Sequence, residues 1–269
     1  MTAVLLFAGG IAGGLFGAVL GIGGGVLIVP LLTLGFNVPL AHAVGISLIC
    51  VVATSTGAAA WNVRAGRADV RLAIFLEVGT VLGALAAGLA APIVPDRLLA
   101  GGFALLMVYA GVAMTRRGPA ASVMSADDPA INPSAPDGPA APAYRSHRLP
   151  EAVAGSVGAG VVSALLGVGG GVVKVPLLRL VMGVPLHVAS ATSTYIIGVT
   201  AAAGAYPYLL RGQVDPALAG PMVLGVAAGA AAGAALAPRL RARWLALLFA
   251  AVAAYVAIQM ALRAAGVGQ

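Results

Sequence analysis

Lys174 is a cation inside a long apolar stretch, three residues past the glycine run Gly167-Val168-Gly169-Gly170-Gly171. The same run stands 146 residues earlier as Gly21-Ile22-Gly23-Gly24-Gly25. Pro30 and Pro176 follow the two runs at one fixed distance, and Ile28 holds the place of Lys174 in the first copy. Glycine and proline are poor helix material. A lipid-embedded chain tolerates such breaks only where the freed backbone groups are buried in protein or line a wet cavity. A helix restarting near Val26 or Val172 presents N–H groups with no intrahelical partner. Their partial positive charge suits an anion, and Lys174 adds a full charge in one copy only. Intramembrane charges are functional hypotheses by default; the alternative for Lys174 is a stem running along its half-helix to water. Close helix packing also uses glycines, but leaves the repeated prolines unexplained. No Gly-Lys-Ser/Thr follows either run and no soluble strand precedes it, which excludes a phosphate-binding P-loop and a dinucleotide fingerprint.

Glu77 lies about seven residues into an apolar segment, and its counterpart at the same offset is Val223. A lone carboxylate there is a candidate carrier of a coupling proton. Pairing with Lys174 or Arg71, or solvation near the interface, are its other readings. Hydroxyls line two further segments: Ser47, Thr54, Ser55 and Thr56, then Ser190, Thr192, Ser193, Thr194 and Thr200. Ser47 and Thr54 share a helix face, and Ser193 with Thr200 repeats that spacing. Such hydroxyls complete an anion's hydrogen bonds, or else bond back to their own helix or to a neighbour. The candidate binding set is Gly23, Gly24, Gly25, Pro30, Ser47 and Thr54 from the first copy, with Gly169, Gly170, Gly171, Lys174, Pro176, Ser193, Thr194 and Thr200 from the second. His42 and His187 are one residue out of register and lack carboxylate partners, so they read as interfacial residues, not metal ligands. Cys50, the single cysteine, excludes an intrachain disulfide and a cysteine-based metal site.

The elements that must position these residues are helices in lipid. The chain is 61% hydrophobic and 9% charged, with a mean hydropathy of +1.03, against about 25% charged in soluble domains. The net charge of +7 comes from arginines between apolar segments, where they act as topology signals and not as a nucleic-acid surface. Eight apolar segments fall at roughly 3–36, 41–61, 70–92, 98–115, 151–182, 188–210, 216–238 and 244–263, most near the ~20 residues needed to span a bilayer. The first and fifth are too long for one straight helix and contain the breaks. Small residues recur at four-residue spacing, as in Gly9, Gly13, Gly17 and Gly21 or Gly225, Gly229 and Gly233, which favours close helix approach. The first 20 residues lack a positive n-region and their pattern returns at about 152–170, so they read as a structural helix and not a signal peptide.

The repeat holds register well past the glycines. Pro39 matches Pro185, Asp69 matches Asp215, Gly79 matches Gly225, Gly83 matches Gly229, and Arg97 matches Arg243. The fold expected is an all-α membrane protein of two four-segment repeats, at 1–115 and 151–269. A linker at 116–150, with seven prolines, joins them and reads as disordered. Duplicated halves with matching broken helices point to a binding site where the halves meet. Orientation depends on the long segments. If all eight cross once, nine arginines share a side with both termini against four opposite; if the broken segments are hairpins, ten face three with both termini on the poorer side. Charge favours hairpins. Length favours eight crossings, which is the expected arrangement, since 18 residues precede the first break.

With its duplicated Gly-x-Gly-Gly-Gly-x-x-x-x-Pro-Leu-Leu motif, eight segments and central linker, the chain resembles the sulfite exporter TauE/SafE family of bacterial membrane permeases. The resemblance covers both halves and leaves out only the linker. It implies a multi-pass protein of the bacterial inner membrane that transports small anions such as sulfite, sulfoacetate or related sulfonates. It also implies coupling to an ion gradient, proton or sodium. Carried over by position, it points to Gly21, Gly23 to Gly25 and Pro30, and to Gly167, Gly169 to Gly171 and Pro176. A passive anion channel would use the same breaks without a coupling residue. A membrane enzyme would need a clustered nucleophile and base, or metal ligands, which this sequence does not offer. Neither cofactor nor nucleic-acid partner is expected.

Overall fold

The computed structural model describes residues 2–20, 24–64, 70–117, 149–171, 174, 177–178, 182, 186–236 and 242–265. Among them are nine α-helices: α1 Thr2–Leu20, α2 Gly25–Pro30, α3 Leu40–Arg64, α4 Val70–Ala90, α5 Asp96–Arg117, α6 Leu149–Leu166, α7 Leu186–Leu210, α8 Pro216–Leu236 and α9 Ala242–Ala264. No strand occurs among the described residues. Most of the expected linker lies outside them; α5 runs to its first residues and α6 starts just before its last.

The first apolar segment does not cross in one line. It doubles back. Gly9 lies against Leu31, Gly13 against Ile28, and the Gly24 Cα faces the Gly13 carbonyl, so α2 returns antiparallel along α1. The turn is built on Gly24, whose φ of 75° is open to glycine but strained for an L side chain. The fifth segment makes the same turn. Gly155 lies against Leu177 as Gly9 does against Leu31, and Gly170 faces the Ala159 carbonyl as Gly24 faces that of Gly13. The straight crossings expected for these two segments are therefore corrected to hairpins. Long apolar segments fit either path, and the left-handed glycines decide between them.

Pro30 sits at the end of α2, six residues from the turn, where the chain widens into a π turn over Leu31–Gly35. Proline has no N–H to give to the carbonyl four residues back, and a π turn accommodates that missing bond. Within that turn Thr33 Oγ1 bonds back to Val29 O at 2.9 Å and Pro30 O at 3.3 Å. Arg263 near the end of α9 donates to Thr33 O at 3.0 Å. Arg211, just past α7, donates to Gly88 O and Leu89 O, each at 2.7 Å, capping α4.

Helix pairing follows the repeat. α1 packs along α8, and α6 packs along α4, so the first helix of each half lies on a helix of the other. The contacts correspond residue by residue. Gly225 meets the Phe7 carbonyl as Gly79 meets that of Val153; Gly229 meets Ile11 as Gly83 meets Val157; and Gly14 meets Val226 as Gly160 meets Thr80. Each pair differs by the sequence offset. α3 and α7 run antiparallel, with Gly45 at Tyr208, Leu48 at Gly204 and Ser55 at Gly198. α5 and α9 are likewise antiparallel, Gly101 facing Ala264 and Gly111 facing Ala253. Matching helices thus point in opposite directions.

The main core gathers Ile28, Val29, Ile46 and Leu48 with Ile197, Tyr208, Phe103 and Phe249. The outside is equally apolar: Phe75, Leu82, Leu105, Leu224 and Ile258 are each at least 60% exposed. Lipid is the medium that covers such a surface without penalty. The protein is integral to a membrane. By length and composition, Leu72–Ile93, Pro216–Gly233 and Leu247–Ala264 qualify as spans, while Thr2–Ala18, Gly25–Gly35, Leu40–Thr56 and Glu151–Leu166 are apolar but shorter.

Candidate functional site

The two glycine breaks meet in the interior. Ser47, within α3, places Oγ 2.7 Å from Gly167 O and 3.1 Å from Gly25 O. One hydroxyl thereby joins the start of α2 to the end of α6. The approach is tight: a Cβ on Gly25 would stand 2.6 Å from Gly167 O and 2.7 Å from Val51 Cγ2. α6 stops because Gly167, Gly169 and Gly170 take φ values of 70°, 75° and 78° in close succession. The chain re-enters helical geometry at once, with Lys174 N donating to Gly170 O at 2.9 Å. In the first copy Leu27 N donates to Gly24 O at 3.1 Å.

Only the second break carries charge. Lys174 is 2% exposed. Its Nζ donates to Thr200 Oγ1 on α7 at 2.6 Å. That hydroxyl lies 3.1 Å from Glu77 Oε1 and 3.1 Å from Thr80 Oγ1, both on α4, and 2.9 Å from the Ile196 carbonyl of its own helix. Thr200 has a single proton and two lone pairs, so it accepts from the ammonium and donates to one of these acceptors at a time. Thr80 in turn meets Glu77 O at 3.0 Å. The ammonium and the carboxylate attract each other across Thr200. Glu77 Oε2 is buried with no hydrogen-bond partner, as is Ser163 Oγ near the end of α6. Ser163 belongs to the same place: a Cβ on Gly170 would lie 3.2 Å from Ser163 Cβ and 3.4 Å from Lys174 Cε. Glycine at 170 keeps that space free of a side chain.

The remaining candidates divide. Gly24, Gly25, Ser47, Gly169, Gly170 and Gly171 all lie at the joined breaks, with Gly169 against Val51 and Gly171 against Ile197. Ser193, the counterpart of Ser47, is buried with no hydrogen-bond partner for Oγ. Thr54 directs its hydroxyl to Val51 O at 3.0 Å on its own helix, and Ser55 and Thr56 both bond back to Val52 O. Thr194 is half-buried on α7, and Pro30 stands at the far end of its hairpin. Gly21, Gly23 and Pro176 lie outside the described residues, as do the side chains of Arg71 and His187. Thr200, a hydroxyl of the second copy, joins the charged pair.

Over residues 5–260 the chain matches the description "Sulfite exporter TauE/SafE". The chain belongs to the TauE/SafE family. A curated relative, the "Probable membrane transporter protein YunE" of Bacillus subtilis (strain 168), is 24% identical over 222 residues, covering 80% of this chain and 81% of the relative. No solved structure matches. The protein is a membrane transporter.

Two residues of this TauE/SafE chain's polar cluster escape a reading of the sequence: Thr80 and Ser163. A hydroxyl in a membrane helix is commonplace, since it bonds back to its own turn. The available signal was comparative, because their offset counterparts are Val226 and Gly17. Hydroxyls present in one half and absent from the other, near a one-sided Lys and Glu, mark the same site.

Proposed function

We propose that this TauE/SafE protein is a secondary transporter that moves a small anion, sulfite or an organosulfonate, across the bacterial inner membrane. The observation that carries this reading is a buried ammonium, Lys174, joined through Thr200 to Glu77 beside the second glycine break. A charged pair buried in lipid-embedded protein marks a functional site by default, and the Lys174 ammonium has three N–H donors, of which Thr200 takes one. Sulfite and sulfonates present compact oxygen faces that accept from an ammonium and from hydroxyls such as Ser163 and Thr200. Ser47 and the joined breaks hold the two halves at this place, and Ser193 and Thr194 on α7 with Thr54 on α3 are the further hydroxyls proposed for the anion. Glu77 is the coupling residue.

The architecture proposed is two inverted repeats, 1–115 and 151–269, joined by the 116–150 linker. Each opens with a hairpin. Hairpins put ten arginines on the linker's side against three on that of both termini. The positive-inside rule then sets the linker in the cytoplasm and both termini outside. Inverted repeats with broken helices are the arrangement in which rocking of one half exposes a central site to either side.

The test is uptake into proteoliposomes. Sulfite or ethanesulfonate should accumulate above its external concentration when an ion gradient is imposed, and Lys174→Gln should need a higher anion concentration to do so. Flux that only equilibrates the anion makes the protein a passive channel. Flux unchanged by Lys174→Gln removes the lysine from the site.

A further inference from the structure

We infer that Glu77 and the transported anion compete for the donors of Lys174 and Thr200, so that one proton bound by Glu77 accompanies each monoanion. This rests on the reading that Lys174 receives the anion. The hydrogen-bond chain runs Lys174 Nζ to Thr200 Oγ1 at 2.6 Å and Thr200 Oγ1 to Glu77 Oε1 at 3.1 Å, so the ammonium already has its countercharge one hydroxyl away. An arriving anion puts a second negative charge beside a single buried cation, where like charges repel strongly. Neutralising Glu77 removes that conflict. Oε2 is the place for the proton, because it is buried and makes no hydrogen bond that protonation must break. With the carboxyl neutral, the Thr200 proton turns from Oε1 to the anion, and Lys174 has one negative partner again.

The charges around Glu77 support a local exchange. α4 packs against α6 and α7. From the second break comes Lys174. α6 supplies Ser156 and Ser163, and its one carboxylate, Glu151, is exposed at its first turn. α7 supplies Thr200; its Tyr206 and Tyr208 and the following Arg211 lie toward the other end, where Arg211 holds the last carbonyls of α4. The step makes one O–H bond at Oε2 with a proton given up by a buffer acid in the bulk solvent, whose own bond to that proton breaks, and it breaks no bond in the anion. With either the Glu77 carboxylate or the bound anion beside it, Lys174 always faces one negative partner, which favours its ammonium form. Anion and proton together leave the charge of the site unchanged, which suits a site surrounded by lipid.

Ethanesulfonate is the probe, because its sulfonate stays ionised at every working pH and brings no proton of its own. It is first tested for thermal stabilisation of purified wild-type protein and Lys174→Gln. Absence of any Lys174-dependent stabilisation by ethanesulfonate or sulfite sinks the anion reading itself. Given binding, calorimetry in two buffers of different ionisation heat counts protons. Above the titration of Glu77 the wild type should take up one proton per ethanesulfonate, and its affinity should fall about tenfold per pH unit. Glu77→Gln should take up none and bind with flat pH dependence. In proteoliposomes it should exchange labelled for unlabelled anion yet fail to follow a pH gradient. Glu77→Asp, which keeps a titrating carboxyl, should restore the proton count and guards against a Gln variant that does not fold. Wild-type binding without proton uptake, or pH-driven accumulation by Glu77→Gln, overturns the inference.

Discussion

The α1–α8 and α4–α6 interfaces are two copies of one packing solution with different chemistry inside. In both, glycines let the backbone of one helix lie on the other, at Gly225 and Gly229 in one and at Gly79 and Gly83 in the other. Beside α4–α6 stand Glu77, Thr80, Ser163, Lys174 and Thr200. At the matching places beside α1–α8 stand Val223, Val226, Gly17, Ile28 and Thr54, and only the last is polar. Ile28 and Val226 are fully buried. The same frame stands at both places, and charge stands at one of them. Two interfaces of matching packing therefore need not carry matching chemistry; the lipid penalty on a buried ion favours a single charged pair over two.

The hardest way to break this contrast is to charge the quiet copy. Ile28→Lys puts an ammonium among apolar neighbours with no carboxylate opposite, and should destabilise by roughly 2.5–3.5 kcal/mol. Adding Val223→Glu should recover part of that loss. Thermal unfolding of the single and double variants in detergent reads both, and a single variant as stable as wild type would show that water reaches position 28. Next in size is Lys174→Gln, which should weaken anion binding by ~1.5–3 kcal/mol, whereas Ile28→Gln should hardly change it. Concentration-dependent uptake compares the two, and equal losses would make the site symmetric after all.

Gly83→Ala and Gly229→Ala probe what the copies share. Each new methyl meets a backbone carbonyl, at Val157 or Ile11, and each should destabilise by roughly 1–3 kcal/mol through overpacking. The two losses should agree, and a large difference measured by thermal unfolding would mean that the interfaces are not equivalent in packing. The smallest contrast is between Ser47 and Ser193. Ser47→Ala removes the hydroxyl that ties both breaks and should cost about 0.5–1.5 kcal/mol, while Ser193→Ala removes an unpartnered hydroxyl and should be neutral or stabilising. If Ser193→Ala instead impairs uptake without loss of stability, Ser193 touches the anion.

The sequence by itself determined the membrane setting, the match of residues 146 apart, the glycine runs, and the isolation of Lys174 and Glu77. These are legible because lipid excludes charge and backbone breaks, so each exception stands out against an apolar chain. Family membership followed from the same motif. What the sequence left open were relations between segments. A glycine break in a 30-residue apolar stretch permits crossing or return, and the left-handed turns at Gly24 and Gly170 decided for return. Nothing along the chain says that Ser47 bonds Gly167, that Thr200 stands between Lys174 and Glu77, or that Thr80 and Ser163 join them. Ser47 and Gly167 are 120 residues apart, Lys174 and Thr200 26, Thr200 and Glu77 123, and Thr200 and Thr80 120, and a hydroxyl acquires its role only from what packing sets beside it. The tertiary structure alone decided that two charges from different halves share one hydroxyl, because only the antiparallel stacking of the halves carries α4 across to the second break.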